Sequence, residues 1–294
     1  MRKVALIVNP CAGRGSGARL APAIVKELHR LGVDAEMHLT RAPRHAIELI
    51  VAAVRGGARE VVVAGGDGTI FEAVNGMRRA GDPDARLGIV PIGTGNDFVK
   101  MLGLDDWRTA CARIASGATR QVDLGRCGEH SFANGVGIGF DAQVAHLANR
   151  IGWLSGTPVY AVALLEALTF HYRTPEVEIR HDGEARTQRI TLIAIANGRC
   201  YGGAFHVAPG AALDDGLLEF VVADGLPRHR VLALVPQVMR GRHLDNPAVS
   251  HHRVRQVTVR SAEPLVVHAD GEILATDAHE VEVEVLPGAL TVLA

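Results

Sequence analysis

The chain has 294 residues, 31 Lys and Arg against 32 Asp and Glu, and 48% hydrophobic residues. That length suits one or two domains of roughly 150 residues, and the balanced charge with plentiful Val, Ile and Leu excludes a disordered chain. No stretch approaches the ~18 consecutive apolar residues of a spanning helix, and the start MRKVALIVNP runs into a strand-like segment without a signal-peptide core. Cys11, Cys111, Cys127 and Cys200 form no C-x-x-C pair. They read as thiols in a reducing cytosol.

In chain order, VALIVN (residues 4–9) reads as a buried strand ending at Asn-Pro and a glycine cluster. A helix over 18–31 stops at Gly32, a strand follows over 34–40, and a second helix covers 44–54 before Gly56-Gly57. Strands over 61–64 and 87–92 each lead through a glycine loop into a helix. Repeated strand, glycine loop and helix predict an open, largely parallel α/β sheet. Beyond residue 122 the style changes. Strands are expected over 131–135, 176–180, 190–197, 217–223, 254–260, 265–269, 281–285 and 289–293. Helices are expected only over 142–171, broken near 152–158, and over 228–240. Such a pattern predicts a β-sandwich or barrel-like second domain. The expected domains are 1–122 and 123–286, with the tail 287–294 open to a return to the first domain.

The near-zero charge hides a split. Residues 1–122 carry 17 basic and 12 acidic side chains, a net +5, and residues 123–294 carry a net −6. Within the acidic half, residues 226–262 hold seven arginines, four histidines and a single acid, Asp245. That segment is expected either to be a solvated basic face or to contact anionic lipid head groups.

Three strand-to-helix loops are glycine-rich: Gly13-Arg14-Gly15-Ser16-Gly17, Gly65-Gly66-Asp67-Gly68-Thr69 and Gly93-Thr94-Gly95-Asn96. Ligands of open α/β sheets bind beyond the carboxyl ends of the strands. There, glycine lets backbone N–H groups approach a phosphate, and a helix N-terminus adds partial positive charge. The first loop also fits the loose dinucleotide fingerprint, Gly13-x-Gly15-x-x-Ala18 with Glu36 about twenty residues on, so a dehydrogenase is an alternative. Asp67 argues against it. A carboxylate in a phosphate cradle needs a cation beside it or a chemical task; the plainer alternative is an Asx turn or helix cap.

Gly65-Gly66-Asp67-Gly68-Thr69, with Asn75 in the following helix, resembles the nucleotide-binding motif of the diacylglycerol kinase catalytic domain, shared by diacylglycerol, sphingosine and ceramide kinases. Asn9-Pro10 with Gly13 resembles the first loop of that family, and Pro91 to Phe98 its P-x-G-T-x-N-D-F segment. Asp123-Leu124-Gly125 resembles the domain junction. Leu213-Asp214-Asp215-Gly216 and Asp270-Gly271-Glu272 resemble two acidic signatures. GGDGT alone also occurs in NAD kinases.

The resemblance implies an N-terminal α/β domain of NAD-kinase type, a C-terminal β-sandwich, and an active site in the cleft between them. It implies ATP bound by Asn9, Pro10, Gly13, Thr40, Gly65, Gly66, Asp67, Gly68, Thr69, Thr94 and Asn96. Lys100 would neutralise phosphate or pair with Asp123. Glu272 matches the proton acceptor and Asp67 is the rival base. Asp215 matches a magnesium position, with the carbonyls of Ala212 and Leu217 beside it. The expected activity is transfer of the ATP γ-phosphate to a lipid hydroxyl, diacylglycerol first. Sphingoid bases, phosphatidylglycerol, NAD and a non-catalytic nucleotide-binding regulator are the alternatives. A cytoplasmic enzyme is expected, touching the inner face of the membrane and having no nucleic-acid partner, with room for a homodimer. Residues 158–170 are expected to form a core helix, and Gly202-Gly203 a close approach or a bulge.

Overall fold

The computed structural model describes all residues except Thr94, residues 152–156 and the side chain of Thr157. The strands are β1 (Arg2–Val8), β2 (Val33–Leu39), β3 (Glu60–Gly65), β4 (Arg86–Pro91), β5 (Thr119–Cys127), β6 (His130–Phe132), β7 (Gly135–Gly139), β8 (Glu176–His181), β9 (Glu184–Ala196), β10 (Leu218–Asp224), β11 (Val249–Val254), β12 (Gln256–Ala269) and β13 (Glu272–Leu293). The helices are α1 (Ala12–Arg30), α2 (His45–Arg55), α3 (Asp67–Ala80), α4 (Asp97–Met101), α5 (Trp107–Ser116), α6 (Phe140–Ala148), α7 (Thr157–Glu166), continued by a π-helical turn Ala167–His171, and α8 (Arg228–Met239). The chain divides into two units, Met1–Asp123 with Gly288–Ala294, and Leu124–Pro287.

In the first unit the parallel strands lie in the order β4-β3-β1-β2. The end of β13 adds alongside β4, Thr291–Leu293 pairing parallel with Arg86–Gly88. β3 is buried along its whole length, as expected of a parallel strand covered on both faces. Helix α3 ends on Gly81 in the left-handed region. Helix α5 starts on Asp106, whose carboxylate accepts the N–H groups of Arg108 and Thr109 at 2.7 and 3.2 Å; it is a regular N-cap. The first helix differs from its expected span. It opens at Ala12, but Gly13, Arg14 and Gly15 are all left-handed, so a regular helix runs only from Ser16.

In the second unit β9 and β12 are long and serve two neighbourhoods. The first half of β9 pairs with β8 and its second half with β7 and β10. β12 pairs with β8 through Val257–Arg260 and with β7 through Val267–Ala269, across register shifts between. The circuit β7-β9-β8-β12 therefore closes on itself, the way sandwich strands pass from one sheet to the other. Two expected strand pairs are single strands: 254–260 with 265–269 form β12, and 281–285 with 289–293 lie in β13. The strand expected over 131–135 is split between β6 and the start of β7, and β5, β11 and the rest of β7 were not expected.

Residues 158–170 are not wholly a core helix. Ala163, Ala167 and Leu168 are buried, but Leu165 is 59% and Phe170 77% exposed. The break expected near 152–158 falls mostly outside the described residues. Gly202 and Gly203 form no bulge, but Gly202 is a close approach, since a Cβ there would stand 3.2 Å from the Tyr160 ring. Both have positive φ and close a turn bridged by Tyr201 and Phe205.

Candidate active site

The register of the first sheet lines up the strand ends: Val8 sits beside Leu39 and Ala64, and Gly65 beside Pro91. Asn9, Thr40, Gly66 and Ile92 thus begin four neighbouring loops. Their backbones are threaded together, Asn9 N–H donating to Ala64 O (3.0 Å), Thr40 N–H to Val8 O (2.9 Å) and Ile92 N–H to Gly65 O (2.8 Å).

Side chains complete the interlock. Asn9 Nδ2 donates to Thr69 Oγ1 at 3.0 Å and Asn9 Oδ1 accepts the N–H of Cys11 at 3.0 Å. Asp67 reaches across to the third loop: Oδ2 accepts the N–H of Asn96 at 2.9 Å, and Oδ1 that of Asp97 at 3.0 Å. It caps α4, not its own helix. Asn96 is left-handed and its Nδ2 closes the loop onto Gly93 O at 2.9 Å. The glycines are required by space. A Cβ on Gly93 would stand 2.6 Å from Gly66 Cα, and one on Gly13 2.3 Å from Ile92 O. Pro10 and Gly68 belong to the same two loops, and Asn75 turns back on its own helix, Nδ2 to Phe71 O at 2.8 Å. Thr94 lies outside the described residues. Lys100 Nζ is 3.8 Å from Asp97, while Asp123 Oδ1 accepts Gly288 N–H at 2.7 Å. Three loops, each leading into a helix, are locked together at the carboxyl edge of a parallel sheet, an arrangement chemically suited to an anion.

In the second unit Asp270 and Gly271, both at positive φ, turn β12 into β13. Ala269 pairs with Glu272. That is a two-residue hairpin of the Asp-Gly kind, and Glu272 is the exposed residue directly after it. Asp270 accepts three backbone N–H groups, from Ala133 (2.8 Å), Asn134 (2.9 Å) and Gly135 (2.8 Å).

The Asp215 carboxylate is engaged. Oδ1 accepts Leu217 N–H at 3.1 Å and Oδ2 is ion-paired with Arg253, whose Nε is also 3.5 Å from Glu219. With a guanidinium already on its oxygen, Asp215 with the carbonyls of Ala212 and Leu217 does not fit a divalent cation as folded. Among the described residues no group of three or more His, Cys, Asp or Glu is placed to hold a metal. The basic segment 226–262 is likewise partly consumed inside the fold. Arg228 Nε donates to Leu168 O at 2.7 Å, Arg253 holds Asp215, Arg260 holds Glu280 at 2.7 Å, and His243 is buried.

Residues 3–127 match the diacylglycerol kinase catalytic domain, and residues 134–294 the YegS C-terminal NAD kinase beta sandwich-like domain. A diacylglycerol kinase of Mycobacterium tuberculosis is 32% identical over 99% of this chain and 94% of its own. The chain belongs to the diacylglycerol kinase family of lipid kinases. A diacylglycerol kinase of Bacillus subtilis strain 168 is 27% identical over 92% of this chain and 90% of its own. A crystal structure from Bacillus anthracis str. Sterne superposes with a TM-score of 0.82 at 25% identity, over 99% of this chain and 95% of that one. This lipid kinase therefore has the α/β domain and sandwich-like domain of its family, and uses ATP. The dehydrogenase fingerprint in the first loop falls with that assignment.

The sequence pattern gave no role to Asp141, Asn149 or His268, and held Arg253 only as one of seven arginines in the basic segment. His268 stands in the strand before the hairpin and Asp141 begins a helix, 127 residues earlier by their numbers; no local spacing joins them.

Proposed function

We propose that this lipid kinase phosphorylates diacylglycerol, giving phosphatidic acid and ADP. The whole-length likeness to proteins named diacylglycerol kinase carries the choice of acceptor. The acceptor oxygen forms a bond to the γ-phosphorus as the bond to the β,γ-bridging oxygen breaks, and the hydroxyl proton passes to Glu272. The loops of Asn9, Gly66 to Thr69 and Asn96 hold phosphate by backbone N–H groups. Asp67 serves them as a clasp, because both of its oxygens are committed to N–H groups of the third loop. That commitment favours Glu272 as the base. Magnesium is expected from the resemblance, but Asp215 is paired with Arg253, so no step is assigned to it. Labelled ATP offered with diacylglycerol, a sphingoid base, phosphatidylglycerol and NAD tests the acceptor. Label in phosphatidic acid is expected, and label confined to another acceptor overturns the choice.

The enzyme would meet its substrate at a membrane surface. No helix among the described residues is long and apolar enough to cross a membrane. α7 with its π turn and α8 expose Leu165, Phe170, Leu232 and Met239, and Arg230, Arg240 and Arg242 are exposed on α8 or directly after it. Exposed apolar side chains and exposed arginines together suit an anionic bilayer, each basic residue near the surface adding ~1 kcal/mol. Reversing Arg230, Arg240 and Arg242 to Glu is expected to reduce co-sedimentation with phosphatidylglycerol vesicles; unchanged sedimentation removes the assignment.

A further inference from the structure

Beneath the Asp270-Gly271 hairpin lies a buried polar cluster that the phosphoryl-transfer scheme does not use. His268 is 5% exposed. Its Nδ1 accepts the N–H of Gly271 at 3.3 Å, and its Nε2 faces Asp141 Oδ2 at 3.5 Å. A neutral imidazole has one donor and one acceptor nitrogen. Since Nδ1 accepts, the proton is on Nε2, turned toward the Asp141 carboxylate, as a carboxylate fixes the tautomer of a histidine in many sites. The second Asp141 oxygen is buried without a hydrogen-bond partner among the described residues. Room for the pair comes from Gly137, where a Cβ would stand 2.0 Å from Asp141 Oδ2 and 2.3 Å from His268 Nε2.

The same turn is held elsewhere. Asn149 Nδ2 donates to Gly271 O at 3.0 Å, and the Asp270 side chain takes three N–H groups from 133–135. Tyr201 closes the cluster, its ring edge-on to His268 with centroids 6.0 Å apart. Burial, then the nearby Asp141 and Asp270 charges, push its hydroxyl well above the ordinary value, so it stays a neutral wall. The titratable groups placed against His268 are thus Asp141 from α6 and Tyr201 from its turn, with the Asp270 charge near Tyr201; Glu272, paired with Ala269, leaves on the other face of the hairpin. A turn restrained at the N–H and C=O of Gly271 and at the side chain of Asp270 fixes the direction in which the next residue leaves it. That residue is Glu272.

We infer that His268, oriented by Asp141, is a positioning residue that holds the Gly271 amide and thereby sets the Glu272 carboxylate for its proton transfer. The inference rests on Glu272 being the base. Misplacing a catalytic group by about 1 Å costs on the order of 100-fold. His268→Phe is therefore expected to lower kcat by ~10- to 100-fold with the KM for ATP unchanged. His268→Gln offers an amide oxygen to Gly271 and an N–H₂ to Asp141, and is expected to recover kcat to within about threefold. ¹⁵N-histidine NMR of the whole protein is expected to show the His268 proton on Nε2, with that preference weakened in Asp141→Asn. Glu272→Gln is the reference. If it is inactive while His268→Phe keeps full kcat, the positioning role is wrong and the base stands. If Glu272→Gln keeps full turnover, the base assignment is what fails. A His268 proton found on Nδ1 overturns the positioning role even if the Phe variant does not fold.

Discussion

Asn9 and Thr69, sixty residues apart, share a 3.0 Å hydrogen bond from Nδ2 to Oγ1 that ties the loop after β1 to the first turn of α3. The bond fixes the distance between two of the three loops proposed to hold phosphate. Thr69→Val removes the acceptor and keeps the shape. ATP affinity is expected to fall about tenfold by calorimetry, the equivalent of ~1.4 kcal/mol. Asn9→Ala should add little to Thr69→Val, since both break one contact.

Asp67 and Glu272 should separate by their symptoms. Asp67→Asn puts an N–H₂ opposite a backbone N–H of the third loop, and leaving such a group unsatisfied costs ~1–3 kcal/mol. A lower melting temperature and a raised KM for ATP are expected. Glu272→Gln, at an exposed position, should melt as the parent does and lose ~10²- to 10⁴-fold in kcat. The reverse pattern would make Asp67 the base.

The cysteines divide by environment. Burial pushes the thiols of Cys111 and Cys127 up to about 12 and about 11, so neither forms a thiolate near pH 8. Cys11 is exposed in the first loop. A thiol reagent is expected to modify Cys11 at pH 8 with saturating ATP slowing it, and to reach Cys111 and Cys127 only after denaturation. Mass spectrometry of the labelled peptides decides this.

His243 gives the fold an acid-sensitive point. Its ring is buried, Nε2 against Val207 O at 2.9 Å, and burial lowers its value below the ordinary 6.5. His252 is lowered for the same first reason, followed by the neighbouring His181 and Arg186. Above pH 6.5 both folded and unfolded chains hold these rings neutral. Below it the unfolded chain takes the proton first, so stability falls as the pH drops below 6.5 and levels off beneath the folded value. Thermal melts at pH 7.5 and 5 should show this loss, and His243→Gln should reduce it.

Much of the first unit was legible because β1, β3 and β4 are short, largely buried runs that lead through glycine loops into helices. The three loops announced themselves for the same reason. What spacing could not show was the purpose of Asp67. Its partners are Asn96 and Asp97, about thirty residues away, and the cap belongs to α4 rather than α3. In the second unit, β12 and β13 were each read as two strands. Exposed or kinked stretches interrupt their apolar alternation, and pairing on both sides holds them continuous. β11 was missed because its residues, VSHHRV, look like a basic loop until antiparallel pairing with β10 orders them. The excess charge of 226–262 also promised more than it delivers. Arg253 and Arg260 have partners on other strands, and Arg228 is bound to a main-chain carbonyl.

The return of residues 288–294 to the first sheet has a consequence for biosynthesis. β4 has β3 on one side, and on the other a strand translated after every residue of the second unit. Until Thr291–Leu293 arrive, that flank of β4 is a bare edge, with unpaired N–H and C=O groups able to recruit a foreign strand. The α/β unit, although most of it precedes the second unit in the chain, is thus the last to be sealed, and removing Thr291–Leu293 would leave it open permanently.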